Sequence, residues 1–523
     1  MRIYSDQPTG KLDFLLDIES SLNRYGAEHP GMSPVLEQKC IAALSVLLEG
    51  ALPKLPAQKT VTIIGAGISG LFAGWLLARN GFRVSIHEQS RTLDGGRCNT
   101  FAFKHTDGTH QVAPGAMRIP DDFTKSLFGR LGLVAKEFRN ETARSCIITN
   151  DGQTLPYTYS DRVLDHELSK RWEDELNDIR ALLDQGAPWH QIVLQKQLHK
   201  LTSKQFLLSQ GWLEKDVENW LAQGFGLGGY KCWDAAKGGN VAAFEIIRDQ
   251  LMCYPGKLTE QMVGLSNMLE FPQALYDKAL SAGVQFQFGS VIQFCDSSEN
   301  QIQLTNHEKE IFHTDYAIDT APPKASCGIH LTTSRKIFLF VEHNNRDLKQ
   351  FDGKCLMQSK MRRKFAKMGI GELYIQQATP EHVIFTGYSW GREAKAYSYL
   401  SDERLANQMY SALKQVFADL LELKQFHVKT WNQAFRMSST LDEWYPFEGN
   451  YESHFSKGKN LQGIFSAGDW CSPDTGFIRG ALAKALHAVV SIINRSHNVA
   501  DHVIRGDLTA KIAKAKNPEI NAL

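Results

Sequence analysis

Six residues near the start of the chain, Gly65-Ala-Gly67-Ile68-Ser69-Gly70, restrict its fold more than any other feature. They follow Thr60-Val-Thr-Ile-Ile64, a β-branched apolar run of the kind that makes a strand buried on both faces. The next stretch, ISGLFAGWLLARNG, has helical spacing and a glycine stop at Gly81, and RVSIHEQ reads as a second strand. Strand, glycine-rich turn, helix and strand form the βαβ unit that begins a Rossmann-like sheet. In such a unit Gly65 permits the tight turn, Gly67 lets the backbone approach a pyrophosphate, and Gly70 lets helix and strand pack closely. Ile68 and Ser69 then open the helix whose N-terminus receives the phosphates. Glu88, 23 positions after Gly65, ends the second strand with Gln89 beside it. A carboxylate there accepts ribose hydroxyls and disfavours a 2′-phosphate.

A chain of 523 residues exceeds one ordinary core, so two or three packed units are expected. A net charge of +1 creates no field that would draw the chain to nucleic acid or a membrane surface. The nine cysteines show no CxxC or regular spacing, which argues against a zinc site and a disulfide framework and for a reducing compartment. No apolar h-region follows the first residues, and no run approaches the roughly 18 apolar residues of a membrane span. The expectation is a cytoplasmic protein without a metal.

Helical patterns occupy the lead-in, LDFLLDIESSL and VLEQKCIAALSVLLEGAL, before the breaker-rich PKLPAQK. From about 160 to 250 the chain is again helical, with Leu164, Leu168, Trp172, Leu176, Ile179 and Leu183 at three- and four-residue steps. Such a block cannot continue a parallel sheet, so it is an insertion that makes the first domain discontinuous. VQFQFGSVIQF and DYAIDT return to strand patterns, KIFLFV and VIFTGYSW suggest a second sheet, and a last helix begins near Phe477 after the strand-like GIFSAG. The tail LTAKIAKAKNPEINAL reads as a frayed or surface helix.

Just beyond Glu88, Arg91-Thr-Leu-Asp-Gly95-Gly96-Arg97 offers a close-approach loop and a guanidinium able to pair with a pyrophosphate; alone it would be a polar surface turn. At the far end stand Gly463-Ile-Phe-Ser-Ala-Gly468-Asp469 and Gly476-Phe477-Ile478-Arg-Gly-Ala481. Together these segments resemble the flavin amine oxidase superfamily over most of residues 60 to 495. The resemblance implies FAD as cofactor, Gly96 and Arg97 in its binding loop, and Gly468 and Asp469 meeting its ribityl or phosphate region. It also implies a helix starting under the flavin ring at Gly476, Phe477, Ile478 and Ala481, whose N-terminal dipole stabilises negative charge on the ring. The family commonly has Glu at the Asp469 position. Val291 resembles the residue whose backbone contacts the adenine, and YAIDTAPP the family's second flavin-domain strand.

The most discriminating segment is Ala113-Pro-Gly115-Ala116-Met117-Arg118-Ile-Pro. It resembles the G-x-M-R motif of L-amino-acid oxidases and amino-acid 2-monooxygenases, in which the arginine grips the substrate α-carboxylate, a role suited to a planar, always-charged fork. Read without the family, Arg118 is a structural cation on an edge turn and Lys336 a solvated charge opening a strand. The resemblance implies that Lys336 holds a water near flavin N5, making Lys336 and Arg118 the catalytic pair. Phe477 replaces a tryptophan that many relatives carry beside the substrate. Tyr374, or else Gln376, takes the place of the carboxylate-binding tyrosine. Trp431 and Trp233 are candidate pocket aromatics, with core packing the commoner role. Glu245, Asp249 and Glu270 could read a basic side chain, although a carboxylate on a helix is more often solvated.

These readings imply a mixed α/β fold: a Rossmann-like FAD-binding domain, a discontinuous substrate-binding sheet domain and an inserted helical subdomain. The boundaries are an N-terminal helical extension 1–57, FAD-binding parts 58–125, 256–322 and 446–498, a helical/substrate subdomain 126–255, a substrate-binding domain 323–445 and a tail 499–523. The implied reaction is oxidative deamination of an L-amino acid with O2 to the 2-oxo acid, ammonia and hydrogen peroxide. Alternatives are a 2-monooxygenase forming an amide, an amine or polyamine oxidase, and a non-catalytic FAD-binding protein. Expected partners are the L-amino acid, O2 and a second copy in a homodimer, to which residues 1–57 could contribute.

Overall fold

The computed structural model describes residues 8–50, 52–117, 119, 121–137, 146–148, 154–156, 166–214, 243–253, 263–298, 301–322, 331–344, 348, 355–357, 370, 372–391, 394–395, 397–436 and 463–497. Arg118, Leu164, Trp233 and the tail 508–523 lie outside them. Thr60–Ile64 is the middle strand of a five-stranded parallel sheet, in the order Ile464–Ser466, Tyr316–Asp319, Thr60–Ile64, Arg83–Glu88, Gln285–Phe288. From the middle the chain first moves outward on one side, then returns to build the other. The strand order therefore reverses between Thr60–Ile64 and Tyr316–Asp319, the switch point beyond whose carboxyl ends open α/β sheets receive their ligands.

The helix Ile68–Arg79 lies so close to that sheet that a Cβ on Gly70 would stand 2.0 Å from the Gly65 carbonyl oxygen. Only glycine satisfies this approach. A three-stranded antiparallel sheet, Ile292–Ser298, Gln301–Asn306 and Ile311–Thr314, packs Ile302 and Leu304 onto Ala317 and Ile464 of the parallel sheet. The closing helix Ile478–Ser496 runs against the helix Ile68–Arg79 and is buried along almost its whole length.

Its other side is covered by the lead-in. Pro8–Arg24 and Pro34–Glu49 insert Leu15, Ile18, Leu22, Leu44 and Leu47 into the same core as Ile63, Leu76 and Leu486. Asn494 Nδ2 donates to Glu19 Oε2 at 2.6 Å, and the Met32 amide donates to Asp474 Oδ2 at 3.4 Å. Residues 8–50 thus pack within their own chain.

The second sheet has the order Leu420–Arg436, Leu331–His343, His382–Trp390, Glu372–Ala378, Cys355–Met357, Cys146–Ile148, Thr154–Pro156. Strand alternation sends Ile337, Leu339, Val341 and Phe385 to one face, where the helix Asp402–Lys414 covers them with Leu405, Met409 and Leu413. Lys336, Phe338, Phe340, Thr386 and Tyr388 take the opposite face. The hairpin Phe101–His105/Gly108–Val112 lays Phe103 and Val112 on Phe338, Phe340 and Ile384.

The helical block, His166–Asp184, Trp189–Gln195, Ser203–Ser209 and Ala243–Cys253, has a separate core of Leu176, Ile179, Trp189, Ile192, Phe206, Phe244 and Ile247, and Tyr388 of the second sheet packs against it. The helix Asp122–Leu131, at the junction with this block, instead sends Phe123, Leu127 and Phe128 into the first core. No helix among the described residues is long and apolar enough to cross a membrane.

Leu44→Ala should lower the thermal midpoint, because a buried leucine truncated without collapse costs about 2–5 kcal/mol. Unchanged melting by circular dichroism would mean that the lead-in does not share this core. A second expectation concerns Asp319, whose carboxyl is pushed up to about 7 by burial. A raised acid favours the fold below its unfolded value and loses that contribution as pH rises through about 7. Asp319→Asn should therefore flatten the decline of the melting temperature between about pH 4 and pH 7, the window from the ordinary carboxyl value up to that shifted value.

Candidate active site

The glycine turn leaves an open, uncapped helix start. Gly65 has φ +101° and donates its amide to the His87 carbonyl at 2.8 Å. At Gly67, the N-cap of Ile68–Arg79, a Cβ would meet nothing within 4 Å, and no side chain caps the helix. The first-turn amides are thus left for an outside acceptor, which an anion satisfies. Ser69 points away from that space, and its hydroxyl donates to the Ala481 carbonyl at 3.3 Å. This bond ties the turn to the closing helix.

Glu88 is braced at the strand end, accepting from the Ala66 amide at 2.7 Å and the Ser90 amide at 2.8 Å. Gln89 beside it is exposed. Ser290 and Gly289 donate to the Glu88 and Ser90 carbonyls, both at 2.9 Å, so the turn leading to Val291 is stitched to the end of the Glu88 strand. Val291 is exposed, and its carbonyl accepts from the His307 amide at 2.9 Å.

The two ends of the chain meet at Arg97. Its guanidinium grips Asp469 through both carboxylate oxygens, with Nη1–Oδ2 at 2.9 Å, and Nη1 also donates to the Ala434 carbonyl. Sequence reading sent Arg97 and Asp469 separately to the cofactor; the structure joins them to each other. Asp469 Oδ2 further accepts from the Gly476 amide at 3.1 Å. Phe477 then caps the closing helix without a side-chain hydrogen bond, which leaves those first-turn amides free of a cap as well, while Ile478 and Ala481 are buried in the first core. Gly468, at φ +149°, turns the chain into Asp469.

Lys336 is neither at an edge nor solvated. It sits on the inner strand Leu331–His343, paired with Tyr388 on one side and Lys429 on the other, and is 3% exposed. Its Nζ donates to the Ala113 carbonyl at 3.0 Å and the Gly115 carbonyl at 2.7 Å, lies 3.2 Å from Met117 Sδ, and stands 5.4 Å from the Tyr388 ring centre. Ala116 in turn donates its amide to the Arg97 carbonyl at 2.8 Å. The segment 113–117 is held between the lysine and the nucleotide loop.

Across the same sheet face, Tyr374 is buried opposite Thr386, and Gln376 Oε1 accepts from Thr386 Oγ1 at 3.0 Å. Trp431 is half-buried, its indole reaching the Pro114 carbonyl at 3.4 Å, with Lys429 Nζ 4.4 Å from its ring centre. Tyr388, Thr386 and Lys429 were not singled out by sequence reading. The signal available was the alternation of VIFTGYSW, which places Thr386 and Tyr388 on one face. Glu245 is fully buried and paired with Arg248 at 2.8 Å, so it is not a solvated helix charge, whereas Glu270 is exposed.

Comparison with known proteins agrees with this architecture. Residues 68–493 match the family model described as flavin containing amine oxidoreductase. The chain belongs to that family, a class of flavin-dependent oxidoreductases, and its cofactor is FAD. The uncapped helix starts at Gly67 and Phe477 and the open space at Gly67 fit a dinucleotide.

Among curated relatives, an L-glutamate oxidase precursor from Streptomyces diastatochromogenes is 41% identical over 90 residues, covering 16% of this chain and 14% of that protein. A flavin-dependent L-tryptophan oxidase from Lentzea aerocolonigenes is 39% identical over 15% of this chain and 17% of its own length. An L-amino-acid oxidase from Bungarus fasciatus is 34% identical over 18% of each. The chain therefore spans only a small part of the length of these relatives. Among solved structures, a putrescine oxidase bound to putrescine superposes with TM-score 0.63 at 18% identity, over 84% of this chain and all of that one.

Gly70→Ala should yield folded protein that fails to retain FAD, because its Cβ would push helix and turn apart. The ratio of flavin to protein absorbance after desalting reads this directly, and a wild-type ratio would refute it.

Proposed function

We propose that this protein is an FAD-dependent L-amino-acid oxidase, converting an L-amino acid, O2 and water to the 2-oxo acid, ammonia and hydrogen peroxide. The observation that carries the reading is the buried Lys336, whose contacts with Ala113, Gly115 and Met117 make the sheet face and the segment leading into Arg118 one assembly. The amino-acid oxidases among the relatives support the same reading. FAD, when bound, supplies the two-electron chemistry, taking a hydride from the substrate α-carbon and returning electrons to O2.

The protein's part is binding and orientation. Gly65, Gly67, Ile68, Ser69 and Gly70 form the pyrophosphate cradle, Glu88 and Gln89 the ribose contact, and Val291 the adenine contact. Gly96 and Arg97, the segment Gly115 to Arg118, Gly468 and Asp469, and Gly476 to Ala481 complete the cofactor site. Arg118 clamps the substrate carboxylate with Tyr374 as its neighbour, and Gly476, Phe477 and Trp431 wall the reacting end. Lys336 holds the water through which oxygen reacts.

Anaerobic mixing with a panel of L-amino acids should bleach the yellow chromophore, and aerobic turnover should release 2-oxo acid and peroxide. Amide as the main product would make the protein a monooxygenase, and bleaching only by carboxylate-free amines would overturn the reading. Arg118→Met should raise KM about 10–150-fold, the worth of a charged hydrogen-bonded pair of about 1.5–3 kcal/mol. Lys336→Met should slow reoxidation by O2 about 100-fold, in the range of a lost proton-handling group, and should slow anaerobic bleaching less than it slows reoxidation.

A further inference from the structure

Away from the flavin site, the tip of the hairpin Phe101–His105/Gly108–Val112 meets the first residue of the strand His382–Trp390. Three histidines converge there on one carboxylate. Asp107 Oδ1 lies 2.7 Å from His105 Nδ1 and 3.0 Å from His110 Nε2, and Asp107 Oδ2 lies 3.3 Å from His382 Nδ1. The donor atoms of His105, Asp107 and His382 are all within 4.8 Å of one another. We infer that His105, Asp107 and His382, with His110 beside Asp107, form a binding site for a divalent transition-metal ion of the zinc type.

Geometry, ligand chemistry and access agree. Bonds of about 2.0–2.2 Å in a tetrahedral site place neighbouring donors roughly 3.3–3.6 Å apart, so the Asp107 contacts at 2.7 and 3.3 Å open by less than about an ångström and the wider pairs, within 4.8 Å, close by no more than about 1.5 Å. Imidazole with carboxylate suits Zn2+, Ni2+ or Cu2+, whereas Mg2+ and Ca2+ prefer oxygen alone. His382 is 1% exposed and His110 nearly as buried, while the Asp107 side chain keeps 38% of its surface in solvent. A cation therefore enters from the Asp107 side onto a buried imidazole floor.

Gln377 Oε1 is 3.4 Å from His110 Nδ1, the nitrogen turned away from Asp107, as an outer-shell partner is, while Thr379 Oγ1, 3.1 Å from His382 Nδ1, would yield that nitrogen to an ion. Glu342, itself held by Lys424 at 3.3 Å, stands 4.0 Å from His105 Nε2. His382 Nε2 is buried with no hydrogen-bond partner among the described residues, so the ring is anchored only through the nitrogen that faces Asp107. An ion here would staple the hairpin to the second sheet, adding to the apolar contacts of Phe103 and Val112 and to the hydrogen bond from Gln425 Nε2 to the Lys104 carbonyl.

The test is calorimetric titration of Zn2+ into tag-free, FAD-loaded full-length protein after dialysis against EDTA. One equivalent should bind per chain and raise the melting temperature. Asp107→Asn and His382→Gln should each weaken binding at least about tenfold. His105→Ala, at the half-exposed turn, probes the same site without disturbing the buried strand, and an unchanged flavin spectrum verifies that each variant is folded. His313→Ala, outside the cluster, should bind as wild type. Absence of uptake by the wild type, or uptake undiminished in Asp107→Asn and His105→Ala, would overturn the inference and leave Asp107 as a hydrogen-bonding hub.

Discussion

A buried ammonium group must be given acceptors, and the way Lys336 receives them organises the rest of the molecule. Taking such a charge out of water costs several kcal/mol, so the ion has to be surrounded by oriented dipoles. The Ala113 and Gly115 carbonyls supply them, which pulls the segment 113–117 down onto the second sheet. From there the connection is continuous: Ala116 to the Arg97 carbonyl, the Arg97 guanidinium to Asp469, and Asp469 to the Gly476 amide before the closing helix. A short polar chain thus spans from the substrate-side sheet to both ends of the nucleotide domain.

That connection explains why the chain can build its cofactor domain from separated pieces. The middle strand comes from residue 60 onward, two more strands from the 280s and 310s, and the last from the 460s. Apolar burial drives these pieces together but has no direction of its own. The directed contacts decide their alignment: Ser69 to Ala481, Thr320 to Ile64, and the two-pronged Arg97–Asp469 pair. The lead-in helices complete the arrangement from behind, because the closing helix carries buried residues on every side and one sheet cannot cover them all.

Much of this was legible in the residue pattern. The βαβ unit, Glu88 at its strand end, the return to strands near 285 and 316, the helical block and the closing helix all follow from periodicity and glycine placement, which are local properties. The pairing of Arg97 with Asp469 was not legible, because the two are 372 positions apart and each reads plausibly as a cofactor ligand alone. Lys336 was misplaced as an edge charge if read without relatives, since edge or centre is a property of the sheet and not of the strand. The gathering of His105, Asp107, His110 and His382 was equally hidden: three hairpin residues and a residue near 380 have no shared spacing to detect.

The amino-acid sequence by itself therefore determined a dinucleotide turn, its strand and helix, and the chemical types available to a site, because turn geometry and side-chain period are decided within a few residues. Tertiary structure alone decided which charges are buried and what satisfies them. Desolvation depends on everything packed around a group, so Lys336, Glu245 and Asp107 acquire their roles only when distant segments close over or beside them.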